Sequence, residues 1–383
     1  MKYHEKELNL NDALSFWQSF EDGERLLFYH PQKQQLIMGA KRLKTFGVGE
    51  SYQGYPYVFS TRTFFPSLKD PKWSGLGNET IAFQYYLVEQ NGKQRLCYAN
   101  EIPSILEKEI ISRRHDYEVL ANDYKEWQEL FKPVRQQILA KKVQKVVISR
   151  EVKIQCATTA SIESVLKNLM DKNPNSFVFA YFKDGKTFLG ATPEILVEKE
   201  KEQIMSYALA GTIPRNADEA DEKQKSLLLK DPKNRHEHQI VLDSIAKVMR
   251  TYSDEVMIGE TTTLELKNLY HLKTLIKAKT KDNSSLTDWV SRLHPTPALG
   301  GYPVKDALEI IARYENHERG LYAAPIGIMN EDGDGIFVVG IRSALIAGNA
   351  VYAYTGCGIV ESSDCEEEYQ ETINKAKTIL ESL

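Results

Sequence analysis

At 383 residues, 42% apolar and 27% charged, the chain has the composition of a globular protein long enough to bury a substantial core, as one large domain or as two or three ordinary ones. A net charge of −4 with pI near 6.1 lacks the basic excess of a nucleic-acid binder, so an anionic partner has to be met by locally placed Lys and Arg. No run approaches the roughly 18–20 apolar residues of a membrane span, the first twenty residues have no apolar signal core, and four scattered cysteines without a C-x-x-C pair predict a reduced, cytoplasmic protein.

Along the chain, apolar runs of strand length come first: "RLLFYH", "QQLIMGA", "YVFSTRTFF" and "IAFQYYLV". They make residues 1–115 a strand-rich part of the same domain. Residues 117–142 are rich in Glu, Lys, Leu and Gln and predict a helix, with Pro133 as a kink or break. Further strands are predicted at "KVVISREVKI", "SFVFAYF", "GIFVVGIRSALI" and "AVYAYTG". Helical patterns cover 161–172, 217–230, 234–252, 284–293, 303–315 and 364–382. Because strands cluster and do not alternate strictly with helices, the reading is α+β with largely antiparallel sheets.

Four stretches combine residues that carry chemistry. In "TGCGIVESSDCEEEYQET", six acids fall between Glu361 and Glu371. If the helix starts near Asp364, then Glu368, Glu371, Thr372 and Lys375 share one face. A solvated acidic first turn explains this much; so does a magnesium site, since two carboxylates one turn apart suit a hard cation. In "KNRHEHQIVLDSIAKVM", Glu237 lies on the face of Ile240 and Val241. A carboxylate there needs a partner, either a salt bridge or a metal shared with Glu368 or Glu371. His236 and His238 are two apart and cannot share a helix face, which argues against a His-rich zinc site.

Glu194, in "GATPEILVE", is either a charge between two strands or a carboxyl whose pKa apolar neighbours raise for general-acid work. On a strand, Lys145, Val147 and Ser149 share a face. Lys145 is then a lysine at a sheet end or, if buried, a base, because desolvation disfavours the ammonium. Arg342 interrupts an apolar strand as an interior salt-bridge partner or a carboxylate clamp. "ALAGTIP", "HPTPALGGYP" and "GCGIV" can bring backbone amides near an anion, but none is a nucleotide-binding glycine motif.

In series, "KVVISR", "GATPE", "ALAGT", "KNRHEHQIV", "LYHL", "LHPTPALGGYP", "GIRSA", "TGCGIV" and "EEEYQET" resemble the chorismate-utilising enzymes, and most closely their isochorismate synthase branch. The match runs from about Lys145 to Lys377. The resemblance implies an α+β fold of two stacked, largely antiparallel sheets forming a sandwich core with helices outside, with residues 116–383 as the chorismate-binding catalytic region. It implies magnesium-dependent conversion of chorismate to isochorismate, for menaquinone or siderophore synthesis, by water addition at ring carbon 2 and loss of the hydroxyl at ring carbon 4.

By position, Lys145 matches the family's base and Glu194 its acid. Glu237, Glu368 and Glu371 match the acids around Mg2+, with Glu237 and Glu371 as direct ligands. Ala210, Gly211 and Thr212 match the substrate-facing turn, and His271 and Arg342 positions near the substrate. Gly356 and Gly358 offer backbone amides, and Lys375 a positive charge. Ala210 and Ala298 stand where ammonia-using or lyase members tend to carry lysine and threonine, which favours plain hydroxylation over a salicylate synthase-type lyase. A non-catalytic homologue would have replaced at least one of Lys145, Glu194, Glu237 or Glu371, and all four are present. The resemblance further implies a monomer with no glutaminase subunit, no nucleic acid and no membrane.

Overall fold

The computed structural model describes residues 2–121, 124–215, 221–267 and 269–383. Among the described residues nineteen strands join laterally, and their pairings are antiparallel. They form two runs. One passes from His4–Leu8 through Arg25–His30, Phe177–Lys183 and Lys186–Thr192 to Ser343–Ala347, Ala350–Ile359 and Lys145–Cys156. The other passes from Val58–Thr61 through Pro325–Met329, Gly335–Val339, Ile195–Glu200, Gln203–Pro214 and Leu269–Thr280 to Ser253–Glu265. Strand Glu79–Gln90 belongs to both, pairing with Gln35–Thr45 and with Val58–Thr61.

Because side chains alternate along a strand, one strand feeds two cores. Leu26 and Phe28 point into the core between the runs, where the Phe59 ring of one run lies 5.1 Å from the Tyr181 ring of the other. Leu27 points the opposite way, into a second core under helices Leu14–Gln18 and Ile162–Lys172. A third core, with Val146 and Ile148, lies under Tyr124–Leu139, Val304–Tyr314 and Cys365–Leu380. Helix Pro232–Tyr252 covers Gln203–Pro214 and Leu269–Thr280. The result is the expected α+β sandwich with helices outside.

The structure departs from the sequence-based elements in four places. Tyr117–Ala121 is a strand paired with Lys145–Cys156, and the described helix is Tyr124–Leu139. That helix runs through Pro133, because burial of Trp127, Phe131, Val134 and Ile138 along one face offsets the missing backbone hydrogen bond. "GIFVVGIRSALI" is two strands, Gly335–Val339 and Ser343–Ala347, separated by a turn in which Arg342 has φ 51°. Strand Ser253–Glu265 is mostly exposed, so it shows no apolar run to read. The helix predicted over 217–230 is seen as Asp221–Lys230; residues 217–220 lie outside the described ones.

Candidate active site

Four elements meet around a cavity of about 700 Å³. Strand Lys145–Cys156 brings Lys145 and Val147; across its ladder with Ala350–Ile359, Gly358 pairs with Val147 and Gly356 with Ser149. Helix Pro232–Tyr252, capped by Asp231, brings Glu237. Helix Cys365–Leu380, capped by Asp364, brings Glu371 and Lys375. Glu194 and Arg342 come from the two breaks between strands. Of the residues singled out from sequence, Ala210, Gly211, Thr212, His271, Ala298, Gly356 and Gly358 also line this cavity. Glu368 does not line it; it lies buried behind, paired with Lys233 at 3.0 Å. The acidic first turn is therefore divided, since Glu366 and Glu367 face solvent.

Lysines and carboxylates interleave along one wall. Lys145, 1% exposed, is 2.8 Å from Glu237. Lys375 is 2.6 Å from Glu371 and donates to the carbonyl of Gly356 at 3.0 Å. Burial pushes the Glu237 carboxyl up, but Lys145, with Lys375 and Lys233, holds it below the usual range. Burial and the nearby Glu371 push Glu368 up to about 7, against the pull of Lys233. Gly358 is glycine for want of room: a Cβ would lie 2.6 Å from Lys145 Cε and 2.7 Å from Glu237 Oε1.

Glu194 is in the opposite situation. It is buried, and among the described residues its carboxyl has no hydrogen-bond donor. Burial raises it to about 7 even though Lys145, Lys375 and Arg342 oppose the shift. A carboxyl that holds its proton near neutrality and faces the cavity is a ready proton donor.

Arg342 sits in a left-handed conformation that costs a non-glycine residue roughly 1–2 kcal/mol. That turn sends its guanidinium inward, where burial lowers it to about 10, still cationic at neutral pH. Its Nη2–H donates to His271 Nε2 at 3.1 Å. Burial and Arg342 hold His271 well below the usual imidazole range, so the neutral ring keeps its proton on Nδ1 and donates to Thr212 Oγ1 at 2.9 Å. The Ala210–Thr212 segment is itself bulged, with Gly211 at φ 80°.

Sequence patterns missed the residues that hold this wall in place. His238 donates from Nδ1 to the carbonyl of Ala210 at 3.2 Å and accepts from Thr274 at 2.7 Å. Asn234 Oδ1 accepts the Thr212 amide at 2.9 Å. Arg319, 1% exposed, donates to the carbonyls of Leu299 and Val147 and pairs with Glu315. In sequence Arg319 stands in the polar stretch "YENHERG", which hides its burial, and nothing marks Asn234 either.

A hard cation suits this donor set. Glu237, Glu371 and Glu368 supply only oxygen, and two of them raise the third by mutual repulsion, a cost that a divalent ion relieves. Among the described residues no three His, Cys, Asp or Glu side chains stand grouped to hold a metal as they are; each carboxylate is turned to a lysine.

Comparison with known proteins adds the lineage. The chain is 40% identical over 263 residues to the isochorismate synthase MenF of Bacillus subtilis, covering 68% of this chain and 56% of that one. It is 37% identical over 243 residues to the salicylate biosynthesis isochorismate synthase of Pseudomonas aeruginosa, covering 62% and 50%. The matches thus span little more than half the length of these relatives. The fold superposes on the menaquinone-specific isochorismate synthase MenF of Escherichia coli with a TM-score of 0.86 at 22% identity, over 99% of this chain and 94% of the other. A family model described as "Chorismate binding enzyme" matches residues 29–383, and the chain belongs to that family.

Proposed function

We propose that the protein is an isochorismate synthase, converting chorismate to isochorismate in a magnesium-dependent reaction. The observation that carries this reading is a buried carboxyl, Glu194, held near pH 7 in the same cavity as a buried lysine, Lys145. Water addition at ring carbon 2 with loss of the hydroxyl at ring carbon 4 needs one group to take a proton and another to give one. Lys145, in its neutral amine form, removes a proton from the attacking water through Nζ. The new carbon–oxygen bond forms at ring carbon 2, both ring double bonds shift by one position, and the bond at ring carbon 4 breaks with its electron pair on the departing oxygen. Glu194 protonates that oxygen, so water leaves and the net change is an isomerisation.

Arg342 clamps a substrate carboxylate, oriented by His271, and Lys375 adds positive charge beside Gly356. Glu237 and Glu371, with Glu368 behind them, would hold Mg2+, which when bound would supply charge neutralisation for the other carboxylate. Ala210 and Ala298 place neither amine nor hydroxyl at their own positions in the cavity lining, which favours release of isochorismate over further elimination. Residues 1–115 belong to the same folding unit as the catalytic region 116–383, which supports one core with Leu26 and Phe28 on one side and Val197 and Phe337 on the other. The protein acts as a monomer in the cytoplasm without a glutaminase subunit; among the described residues no helix is long and apolar enough to cross a membrane.

The test is purified protein with chorismate and magnesium, with and without EDTA and ammonium, products separated by chromatography. Isochorismate alone, lost with EDTA, is the expected result. Salicylate with pyruvate would move the protein to the lyase branch, and no conversion under any condition would leave a non-catalytic homologue.

A further inference from the structure

A second cavity, of about 1320 Å³, opens between the N-terminal strands and helix Leu286–Leu293. Its lining is mixed, with polar side chains beside an aromatic and apolar part formed by Phe46, Tyr52, Phe64 and Val290. Phe46 and Tyr52 meet edge to face at 5.1 Å. Two polar groups face it, a half-buried guanidinium and an imidazole whose buried nitrogens have no partner among the described residues.

The first is Arg62. Its backbone amide is fixed to the Pro325 carbonyl at 2.9 Å, and its Nη1 donates only to uncharged oxygens, those of Ser60, Thr61, Glu79 and Thr80. Among the described residues it has no carboxylate partner, and Nε and Nη2 have no acceptor. Burial lowers it from the usual arginine value, opposed only by Tyr52. The second is His294, which meets Phe64 edge to face at 5.6 Å. Both of its ring nitrogens are buried and unpartnered, and burial beside Arg319 holds it neutral, at about 3. The two acids on the wall are committed elsewhere. Glu79 pairs with Arg42 and Lys183, and Asp288 accepts the amide and hydroxyl of Ser285 in a helix cap.

A guanidinium without an anion, an imidazole without a partner and a flat aromatic wall between them describe a ligand from their side. We propose that this cavity binds a small, planar monocarboxylate, its carboxylate on Arg62 and its ring against Phe46, Tyr52 and Phe64. The site is separate from the catalytic cavity and does not depend on the reaction assigned to it.

Benzoate is the probe, and phenol the uncharged control of the same shape, each titrated into the full chain by ligand-observed NMR. Benzoate should bind at millimolar concentration or tighter, and phenol more weakly. Arg62→Gln should weaken benzoate at least about tenfold, the loss expected for one charge-assisted contact. Ser291→Trp, at an exposed position on the wall, should block the cavity without touching the core, and decides the matter should the Arg62 variant not fold. Arg342→Gln, in the catalytic cavity, should leave benzoate binding unchanged. No saturable benzoate binding, or binding that survives both Arg62→Gln and Ser291→Trp, would overturn the proposal; so would loss on Arg342→Gln alone.

Discussion

Two buried charged clusters in this protein follow opposite rules. Around Glu79, on strand Glu79–Gln90, the carboxylate accepts from Arg42, Lys183 and Tyr181, and these bonds hold it below the usual range although burial pushes it up. Around Glu194 stand three cations, yet none donates to it, and burial wins. The first cluster is complete as it stands. In the second, Lys145 and Lys375 are taken up by Glu237 and Glu371, and Glu194 is left facing the cavity with no donor among the described residues, the incompleteness expected of a place that receives a substrate.

Exchanging the acid in each cluster for its amide breaks the comparison most sharply. Glu194→Gln cannot donate a proton, so turnover should fall by about 10²–10⁴-fold, while the fold stays intact. Wild-type turnover in this variant would remove Glu194 from its role. The pH dependence has a definite sign. The Glu194 carboxyl binds its proton more tightly folded than unfolded, so its contribution to stability falls as pH rises from about 4.5 through about 7. Activity should fall over the upper part of the same window, as the acid ionises. In Glu194→Gln a melting series across that window should lose this component of its slope.

Glu79→Gln should do the reverse. It leaves Arg42 and Lys183 with one partner fewer, and should cost on the order of 3 kcal/mol of stability with kcat per folded molecule unchanged. Here the folded-state carboxyl is held below its unfolded value, so its stabilisation is present above about 4.5 and is lost as pH falls. Chemical denaturation and kcat measured on the same sample separate the two outcomes. A fall in kcat without loss of stability would mean that the two clusters do not differ as argued.

Gly358→Ala tests the crowded side of the open cluster. The added methyl would sit 2.6 Å from Lys145 Cε, too close to keep, so the lysine has to move. A displacement of about 1 Å at a reacting group costs about 100-fold in rate. Steady-state kinetics showing less than a few-fold change would place Lys145 outside the chemistry.

Much of this site could be read from the sequence because its residues break local rules. Glu237 on an apolar helix face, Arg342 in an apolar strand and Glu194 between two apolar runs are each costly where they stand, and cost is visible in a pattern. Their pairing was not visible. Whether Glu237 meets a metal or a lysine depends on Lys145, 92 positions earlier, arriving across a sheet. Strand Ser253–Glu265 escaped notice because its ladder, not its side chains, holds it to the sheet. Glu368 looked equivalent to Glu371 on the helix face, yet only one of them reaches the cavity.

The smallest expected effect concerns a residue with no such signature. Asn234 takes two hydrogen bonds into the Asp231 cap, from its amide and from Nδ2, and uses Oδ1 to accept the Thr212 amide. It thereby ties the bulge at Gly211 to the helix that carries Glu237, three residues on. Asn234→Ala leaves the Thr212 amide unpaired, a loss of about 1 kcal/mol, or several-fold in KM, with kcat little changed. Asn234→Asp keeps an oxygen where the amide points and should restore KM. If both variants raised KM alike, the oxygen would not be what holds the bulge; if kcat fell with KM unchanged, Asn234 would act on the chemistry through Glu237 and not on the substrate-facing turn.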